Sequence, residues 1–264
     1  MDLFANNIGG LKEFHPFRNV NGFVWIPDKY KTIYQEIYDN ISKIPFNEYE
    51  INKLIWNYIS IFWIDSWYND EAVTFTPKTY FYDWNFKDNV NFDTPKFARL
   101  NSVSSKTLSK VTTLVKAKCI LNDSERCNNL VSISKQYNLP LNIAIREWID
   151  IYTGAEYRCF VYNNKLCAIC PHGIYDLEIN DKELIERISL LLYKARYHLP
   201  FEDCIVDVFL SEKSNKLDCI IEFNSYGIWA NSTSGAFNWI TDKYELENLP
   251  VTIKGRHSIE NTFF

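Results

Sequence analysis

The chain has 264 residues, of which 47% are hydrophobic and 16% aromatic, so it can bury a substantial core in one large domain or two closely packed ones. Its formal net charge of -5 argues against a general nucleic-acid binder, which needs a basic surface. No apolar run reaches the roughly 18 residues that span a bilayer, and the first residues lack the basic start and apolar block of a secretory signal. We therefore expect a cytoplasmic protein with neither a membrane nor a nucleic-acid partner.

The first third of the chain predicts a helical N-terminal region. After the irregular residues 1–30, apolar residues recur at helical spacing from Tyr30 to Ile44, and Pro45 ends that helix. A second, strongly apolar helix is predicted from Glu48 to Tyr68, and its broad apolar face is typical of a core helix.

The middle of the chain changes to β-rich sequence. Residues 79–84 and 95–101 predict two strands. The small-residue loop 102–106 follows, and such loops expose backbone N–H groups that can cradle phosphates. A short helix capped by Thr107 or Ser109 is predicted next.

The second half of the chain alternates strands and helices. Strands are predicted at 142–151, 155–162 and 165–170, the last two joined by a hairpin turn at Asn163-Asn164. Helices are predicted within 122–138, capped by Ser124 or Asn128, and at 181–197, capped by Asn180 or Asp181. This order predicts an α+β fold in which helices back an antiparallel sheet.

The most informative stretch is a predicted hairpin formed by residues 205–210 and 219–224. Each apolar strand contains one acidic residue, Asp207 or Glu222, and Asn224 shares a strand face with Glu222. These residues either face water at a strand edge or form an oxygen-only site for a hard cation. Because burying an unpaired carboxylate is costly, we favour a magnesium site.

The seven cysteines are scattered, mostly in apolar sequence typical of buried free thiols in a reducing compartment. Cys167 and Cys170 form a single C-x-x-C, and His172 is the one histidine near them. Without a second cysteine pair, zinc or redox chemistry is not expected. His172 is assigned no role.

Several segments, taken in order, resemble the ATP-grasp proteins and, more narrowly, the cell division cycle protein 123 family. The family's Arg-Lys-Trp hinge, its Glu-Phe-Arg-Cys-Phe-Val strand and its Asp-Val-Tyr and Asp-Phe-Asn-Pro-Phe-Gly motifs have counterparts here. They read Arg146-Glu147-Trp148, Glu156-Tyr157-Arg158-Cys159-Phe160-Val161, Asp207-Val208-Phe209 and Glu222-Phe223-Asn224-Ser225-Tyr226-Gly227. The resemblance extends to Ala98–Ser102, with Lys106 beyond it, and covers about residues 95–245.

The resemblance implies an ATP-grasp fold, in which two α+β lobes with antiparallel sheets enclose a nucleotide cleft. It implies a lobe over residues 1–90, a nucleotide-binding region over 91–248 and a tail over 249–264. The hinge at 146–149 would contact adenine, with Arg146 and Glu147 supplying backbone groups and Trp148 or Ile149 lining the pocket. The ribose would be bound by Glu156.

The same resemblance implies which residues contact the phosphates and which hold the metal. Arg99, Lys106 and Arg158 would contact the phosphates of ATP, since a guanidinium fork suits bidentate contact. Magnesium would be held by Asp207, Glu222 and Asn224. Two alternatives stay open, namely a solvated strand end for Arg99 and a salt bridge from Arg158 to Glu156 or Glu147.

The chain also departs from the family pattern. Glu222 replaces an aspartate, Ser225 replaces a proline, and the basic segment after the second hairpin strand is shortened to Pro171-His172-Gly173. An acidic residue that follows the metal motif is missing from residues 231–234. These changes concern the partner surface and the catalytic geometry.

The resemblance implies three functions. The first is an ATP- and magnesium-binding assembly factor that binds the gamma subunit of translation initiation factor 2. The second is an ATP-dependent carboxylate–amine ligase that acts on a peptide or protein through an acyl-phosphate, an idea supported by Arg99 at a family lysine position. The third is a nucleotide-binding relic with a structural role.

Overall fold

The computed structural model describes residues 39–40, 43, 78–101, 103–105, 109–173, 176–196, 203–213, 218–226 and 236–256. Residues 39 and 40 are helical, and the rest of the two predicted N-terminal helices lies outside the described residues except for residue 43. Two compact units emerge, with the described residues up to 149 in the first and those from 150 onward in the second.

The first unit is built on a four-stranded antiparallel sheet. Its strands are β1 (Thr79–Asp83), β2 (Asn91–Leu100), β3 (Lys110–Thr113) and β4 (Asn142–Glu147), in the spatial order β1-β4-β2-β3. Between β3 and β4 the chain forms helices α1 (Leu114–Asn122) and α2 (Glu125–Tyr137). Their buried apolar residues include Leu114, Leu121 and Leu130.

Local capping explains where these two helices begin. The side chain of Thr113 accepts a hydrogen bond from the backbone of Lys116 at 3.1 Å. Ser124 does the same for Cys127 at 3.4 Å, so the prediction of Ser124 as a helix cap is confirmed. The short helix predicted after Thr107 or Ser109 is wrong, because the chain enters β3, in which only Val111 is fully buried.

The second unit is built on a five-stranded sheet. Its strands are β5 (Gly154–Tyr162), β6 (Lys165–Pro171), β7 (Cys204–Ser211), β8 (Cys219–Ser225) and β9 (Thr252–Ile253), in the spatial order β8-β7-β5-β6-β9. All neighbours are antiparallel except β6 and β9, which run parallel. A 3-10 turn at Ile151–Thr153 precedes the sheet, and helices α3 (Asp181–Ala195) and α4 (Lys243–Glu247) complete the unit.

Two sequence features of the second unit behave as predicted. Asn163 and Asn164, which join β5 to β6, both have positive φ values, of 49° and 58°, as a tight hairpin turn requires. Asn180 caps α3 by accepting from the backbone of Glu183 at 2.9 Å, and α3 packs a face that includes Leu184 and Ile188. The predicted hairpin of β7 and β8 is confirmed, and every residue of β7 is buried.

The segment after residue 249 contributes to the sheet of the second unit. Thr252 and Ile253 pair with Ala168 and Ile169 of β6, and the backbone of Lys254 donates to the Ile169 carbonyl at 3.1 Å. The mixed α+β class with antiparallel sheets is confirmed in both units. No helix in the described ranges is both long and apolar enough to cross a membrane.

Candidate functional site

A buried ion pair lies at the centre of the second unit. Arg158 of β5 and Asp207 of β7 are direct cross-strand partners, with 4% and 1% of their surfaces exposed. The Arg158 Nε donates to Asp207 Oδ1 at 2.7 Å, and Nη2 donates to Oδ2 at 2.6 Å. Both oxygens of the carboxylate are therefore engaged by one planar fork, which is the strongest geometry for this pair.

The pair shifts the acid–base behaviour of the arginine. Burial alone lowers the pKa of the Arg158 guanidinium, but the charge of Asp207, its hydrogen bonds and the charge of Glu222 together raise that pKa above its ordinary value. The guanidinium is therefore a permanent cation at this position. Arg158 forms an ion pair with Asp207, a partner that the sequence did not lead us to expect.

Glu222 and Asn224 of β8 complete the acidic side of this cluster. Glu222 is the direct cross-strand partner of Asp207, and Asn224 pairs with Ile205, two residues earlier on β7. Directly opposed residues share a sheet face, so both side chains lie on the face of Asp207. The Asn224 Nδ2 lies 3.0 Å from Asp207 Oδ2 and 3.5 Å from Glu222 Oε1.

His172 belongs to the same cluster, although the sequence analysis assigned it no role. Its Nε2 lies 3.2 Å from Arg158 Nη2 and 3.9 Å from Asp207 Oδ2, and its side chain is 28% exposed. The backbone N–H of His172 donates to the Glu156 carbonyl at 2.8 Å. The predicted hairpin turn at Asn163-Asn164 could have indicated this position. A turn there brings the end of β6, and with it His172, beside the start of β5.

The donor set of this cluster fits magnesium. Asp207 and Glu222 offer carboxylate oxygens, and Asn224 offers a carboxamide oxygen once its amide is turned, as a hard cation requires. The two carboxylates exceed the one guanidinium by one negative charge, so a cation would offset the repulsion between the opposed carboxylates. Among the described residues, no group of three or more His, Cys, Asp or Glu side chains is placed to hold a metal. The predicted set contains two such side chains and a carboxamide.

The burial of Asp207 decides between the two interpretations of that residue, a water-facing carboxylate or a member of a cation site. With 1% exposure, Asp207 is not a strand-edge residue that faces water. Glu222 and Asn224 are half-buried. Glu156, the predicted ribose ligand, is also half-buried and lies two residues before Arg158 on β5, so it shares the sheet face of the cluster.

The predicted nucleotide residues of the first unit include two buried arginines. Arg99 of β2 and Arg146 of β4 are 9% and 4% exposed, so the alternative of a solvated strand end for Arg99 is wrong. Arg146 pairs with Phe97, which shares a strand face with Arg99, and both arginines therefore lie on one face of the sheet. The Arg146 Nε donates to Thr79 Oγ1 at 3.1 Å.

The rest of the predicted hinge lies at the end of β4 and directly after it. Glu147 is exposed, and its carboxylate lies 4.0 Å from the Lys96 amine. The centroids of the Trp148 and Phe97 rings are 6.5 Å apart. The Lys110 amine lies 4.9 Å from the centroid of the Trp148 ring. Ile149 is half-buried. Lys106 lies outside the described residues.

One cysteine lies next to this cluster, because Cys170 is the direct cross-strand partner of Arg158. All seven are free thiols, and five of them are buried, namely Cys127, Cys159, Cys167, Cys170 and Cys204. Burial raises the pKa of Cys159 well above its ordinary value. A thiol held in its neutral form is a weak nucleophile.

The relatives with similar sequences include a viral protein and an amphibian protein. A putative CDC123-like protein of Acanthamoeba polyphaga mimivirus is 32% identical over 150 residues, which are 54% of this chain and 45% of that protein. The translation initiation factor eIF2 assembly protein of Xenopus laevis is 28% identical over 131 residues, which are 48% of this chain and 38% of that protein. The chain thus matches less than half the length of each relative.

The fold is shared with a solved structure. Cdc123 from Schizosaccharomyces pombe matches with a TM-score of 0.54 and 18% identity, covering 78% of this chain and 98% of that chain. Likeness at this identity shows the fold alone. A weaker structural likeness, with a TM-score of 0.40 and 11% identity, is to a RimK domain ATP-grasp protein from Sphaerobacter thermophilus.

The resemblance stated from the sequence is confirmed by a family profile. The profile of the D123 family matches residues 88–251, which is more than half of the chain. The match contains every predicted site residue, from Arg99 to Asn224. The chain therefore belongs to the D123 family.

Proposed function

We propose that the chain binds ATP together with magnesium and acts as an assembly factor for a translation initiation factor complex. The observation that carries the nucleotide part is the cluster that buried Arg158 and Asp207 form with half-buried Glu222 and Asn224. It combines a fixed cation with an oxygen-rich acidic side, and these are the two partners that a magnesium–triphosphate requires.

In this proposal Asp207, Glu222 and Asn224 hold the magnesium ion, which would neutralise phosphate charge. Arg158 contacts a phosphate oxygen while its Nε stays on Asp207, so the charge that binds phosphate is fixed before the ligand arrives. Glu156, on the same strand face, accepts from the ribose hydroxyls. Arg99, Lys106 and the segment 146–149 stay predicted nucleotide contacts, to be tested one by one.

The assembly role rests on family membership. The Xenopus laevis relative is named as an eIF2 assembly protein, and the matched region of this chain contains all of the proposed nucleotide ligands. We propose the gamma subunit of translation initiation factor 2 as the partner. A carboxylate–amine ligase would use the same metal and cations, and it differs in releasing ADP when an acceptor is supplied.

Thermal melting tests the nucleotide part of the proposal. The wild-type chain should melt at a higher temperature with ATP and magnesium than with either alone, because a ligand that binds only the folded state stabilises it. Asp207→Asn should lose the magnesium-dependent part of the shift. If ATP and magnesium leave the wild-type melting temperature unchanged, the nucleotide proposal is wrong.

Asp218→Asn provides a matched control. Asp218 also pairs with an arginine, at a half-buried position, since its carboxylate binds the Arg187 guanidinium beside the β7–β8 hairpin. This variant should lose stability as Asp207→Asn does and keep the full magnesium-dependent shift. Co-purification with the gamma subunit without ADP release supports the assembly factor, whereas ADP release with a peptide supports the ligase.

A further inference from the structure

His172 occupies a defined place beside the Arg158–Asp207 pair. Pro171, the last residue of β6, pairs with Tyr157 of β5, and the next backbone N–H donates to the Glu156 carbonyl at 2.8 Å. The imidazole is therefore attached to a fixed point of the sheet. Its 28% exposure makes it the outer member of a cluster whose arginine and aspartate are almost fully buried.

The contact between the two side chains determines which imidazole nitrogen carries the proton. The Arg158 Nη2 and the His172 Nε2 are 3.2 Å apart. A guanidinium can only donate, so Nε2 must accept and the proton must lie on Nδ1. The lone pair of Nε2 is used by the guanidinium, which argues against His172 as a metal ligand.

This hydrogen bond gives the guanidinium a second anchor. Nη2 donates to Asp207 Oδ2 at 2.6 Å and contacts His172 on another side. Asp207 alone would let the guanidinium move with the carboxylate when a cation binds there. The imidazole, attached to β6 rather than β7, holds Nη2 from a different strand.

We propose that His172 is a positioning residue for the nucleotide site: its neutral imidazole accepts from Arg158 and fixes the guanidinium while Asp207 binds magnesium. The proposal rests on the proposed function, because the guanidinium matters only if phosphate binds beside it. His172 itself touches neither the phosphate nor the metal in this account.

Two substitutions separate the hydrogen bond from mere packing. His172→Gln places an acceptor oxygen near the position of Nε2, whereas His172→Leu fills similar space without an acceptor. By isothermal titration calorimetry with magnesium-ATP, we expect His172→Leu to bind roughly tenfold more weakly, about the effect of one hydrogen bond. His172→Gln should bind within roughly twofold of wild type. The inference is wrong if His172→Leu binds as wild type does, or if His172→Gln is as weak as His172→Leu.

A measurement without nucleotide keeps the inference independent of the proposed function. Two-bond proton–nitrogen correlation spectra report the tautomer of each imidazole, and the chain has 4 histidines, so loss of one signal set in His172→Gln assigns His172. We expect the Nδ1-protonated tautomer near pH 7.5. The Nε2-protonated tautomer would overturn the inference, whereas failure of wild type to bind ATP while this tautomer is present would overturn the proposed function.

Discussion

Arg158 and Asp207 lie directly opposite each other on two adjacent buried strands and are joined by two hydrogen bonds of 2.7 and 2.6 Å. The residue expected to bind magnesium is therefore bonded to a residue expected to bind phosphate. The two predicted roles belong to one charged cluster, and a change at either residue acts on both.

Removal of the guanidinium alone should destabilise the protein strongly. Arg158→Met leaves the Asp207 carboxylate buried without its ionic partner, and breaking a buried pair in this way costs about 3–5 kcal/mol. Urea unfolding, followed by tryptophan fluorescence, measures the loss.

The double variant provides the control for that prediction. Arg158→Met with Asp207→Leu replaces both charges by apolar groups, which is often close to neutral. We expect the double variant to be more stable than Arg158→Met. If the two single losses simply add in the double variant, the pair does not contribute as a unit.

Glu222→Gln should have opposite effects on stability and on magnesium binding. In a buffer with EDTA the substitution removes repulsion between two opposed carboxylates, so the melting temperature should stay equal or rise. With ATP present, the magnesium-dependent stabilisation should shrink because one proposed ligand is lost. A fall in stability in EDTA together with an unchanged magnesium response would contradict the assignment of Glu222.

The sequence predicted this face of the second unit well, and the reason is local. The alternation of side chains along a strand places Glu222 and Asn224 together, and the hairpin brings Asp207 beside them. Both apolar strands could be recognised without knowledge of the rest of the fold.

Contacts that depend on pairing between distant segments were harder to predict. The partner of Arg158 is set by the register of β5 against β7, and Arg158 and Asp207 are 49 positions apart in the sequence. The pairing of Arg158 with Asp207 was therefore not anticipated, and His172 was overlooked because it joins the cluster only through the β5–β6 register. The strand at Lys110–Thr113 was missed for a similar reason, since its pairing with β2 fixes its conformation.

Arg256 should hold the last described segment onto the second unit. Its guanidinium donates to Asp176 and Asp181 at 2.9 Å and to the Leu177 carbonyl at 2.6 Å. Arg256→Met should lower the free energy of unfolding by about 1.5–3 kcal/mol, the effect of a hydrogen bond to a charged group. It should also speed hydrogen exchange of the Lys254 amide, which donates to β6.

Lys182→Met is the matched control for Arg256. Its exposed amine lies 3.9 Å from Glu186 on the surface of α3, and such a pair contributes about 0–1 kcal/mol. We expect little change in stability and none in the exchange of the Lys254 amide. Equal effects from the two variants would show that Arg256 has no special role.

The buried thiols should make the protein less stable in alkaline solution. Burial raises the folded-state pKa of Cys159 and Cys204 above the ordinary value of 9.0. Above pH 9.0 the thiols of the unfolded chain lose protons that the folded chain retains. The contribution of these thiols to the free energy of unfolding is therefore constant below that pH and falls as the pH rises above it. Each such thiol contributes a slope of up to about 1.4 kcal/mol per pH unit.

Urea unfolding between pH 7.5 and 10, in the presence of a reducing agent, measures that slope. Cys159→Ala should make the slope shallower. Cys119→Ala, at an exposed position, is the control and should leave the slope unchanged. An identical slope in both variants would show that Cys159 ionises as readily in the folded chain as in the unfolded one.

Calorimetric titration of ATP into the chain, with and without magnesium, tests the central claim most directly. We predict that magnesium strengthens ATP binding by the wild type and by Asp218→Asn, and that Asp207→Asn, measured where it is folded, binds ATP equally with and without magnesium. Wild-type binding that is indifferent to magnesium, or an Asp207→Asn variant that retains the full magnesium effect, would contradict the account.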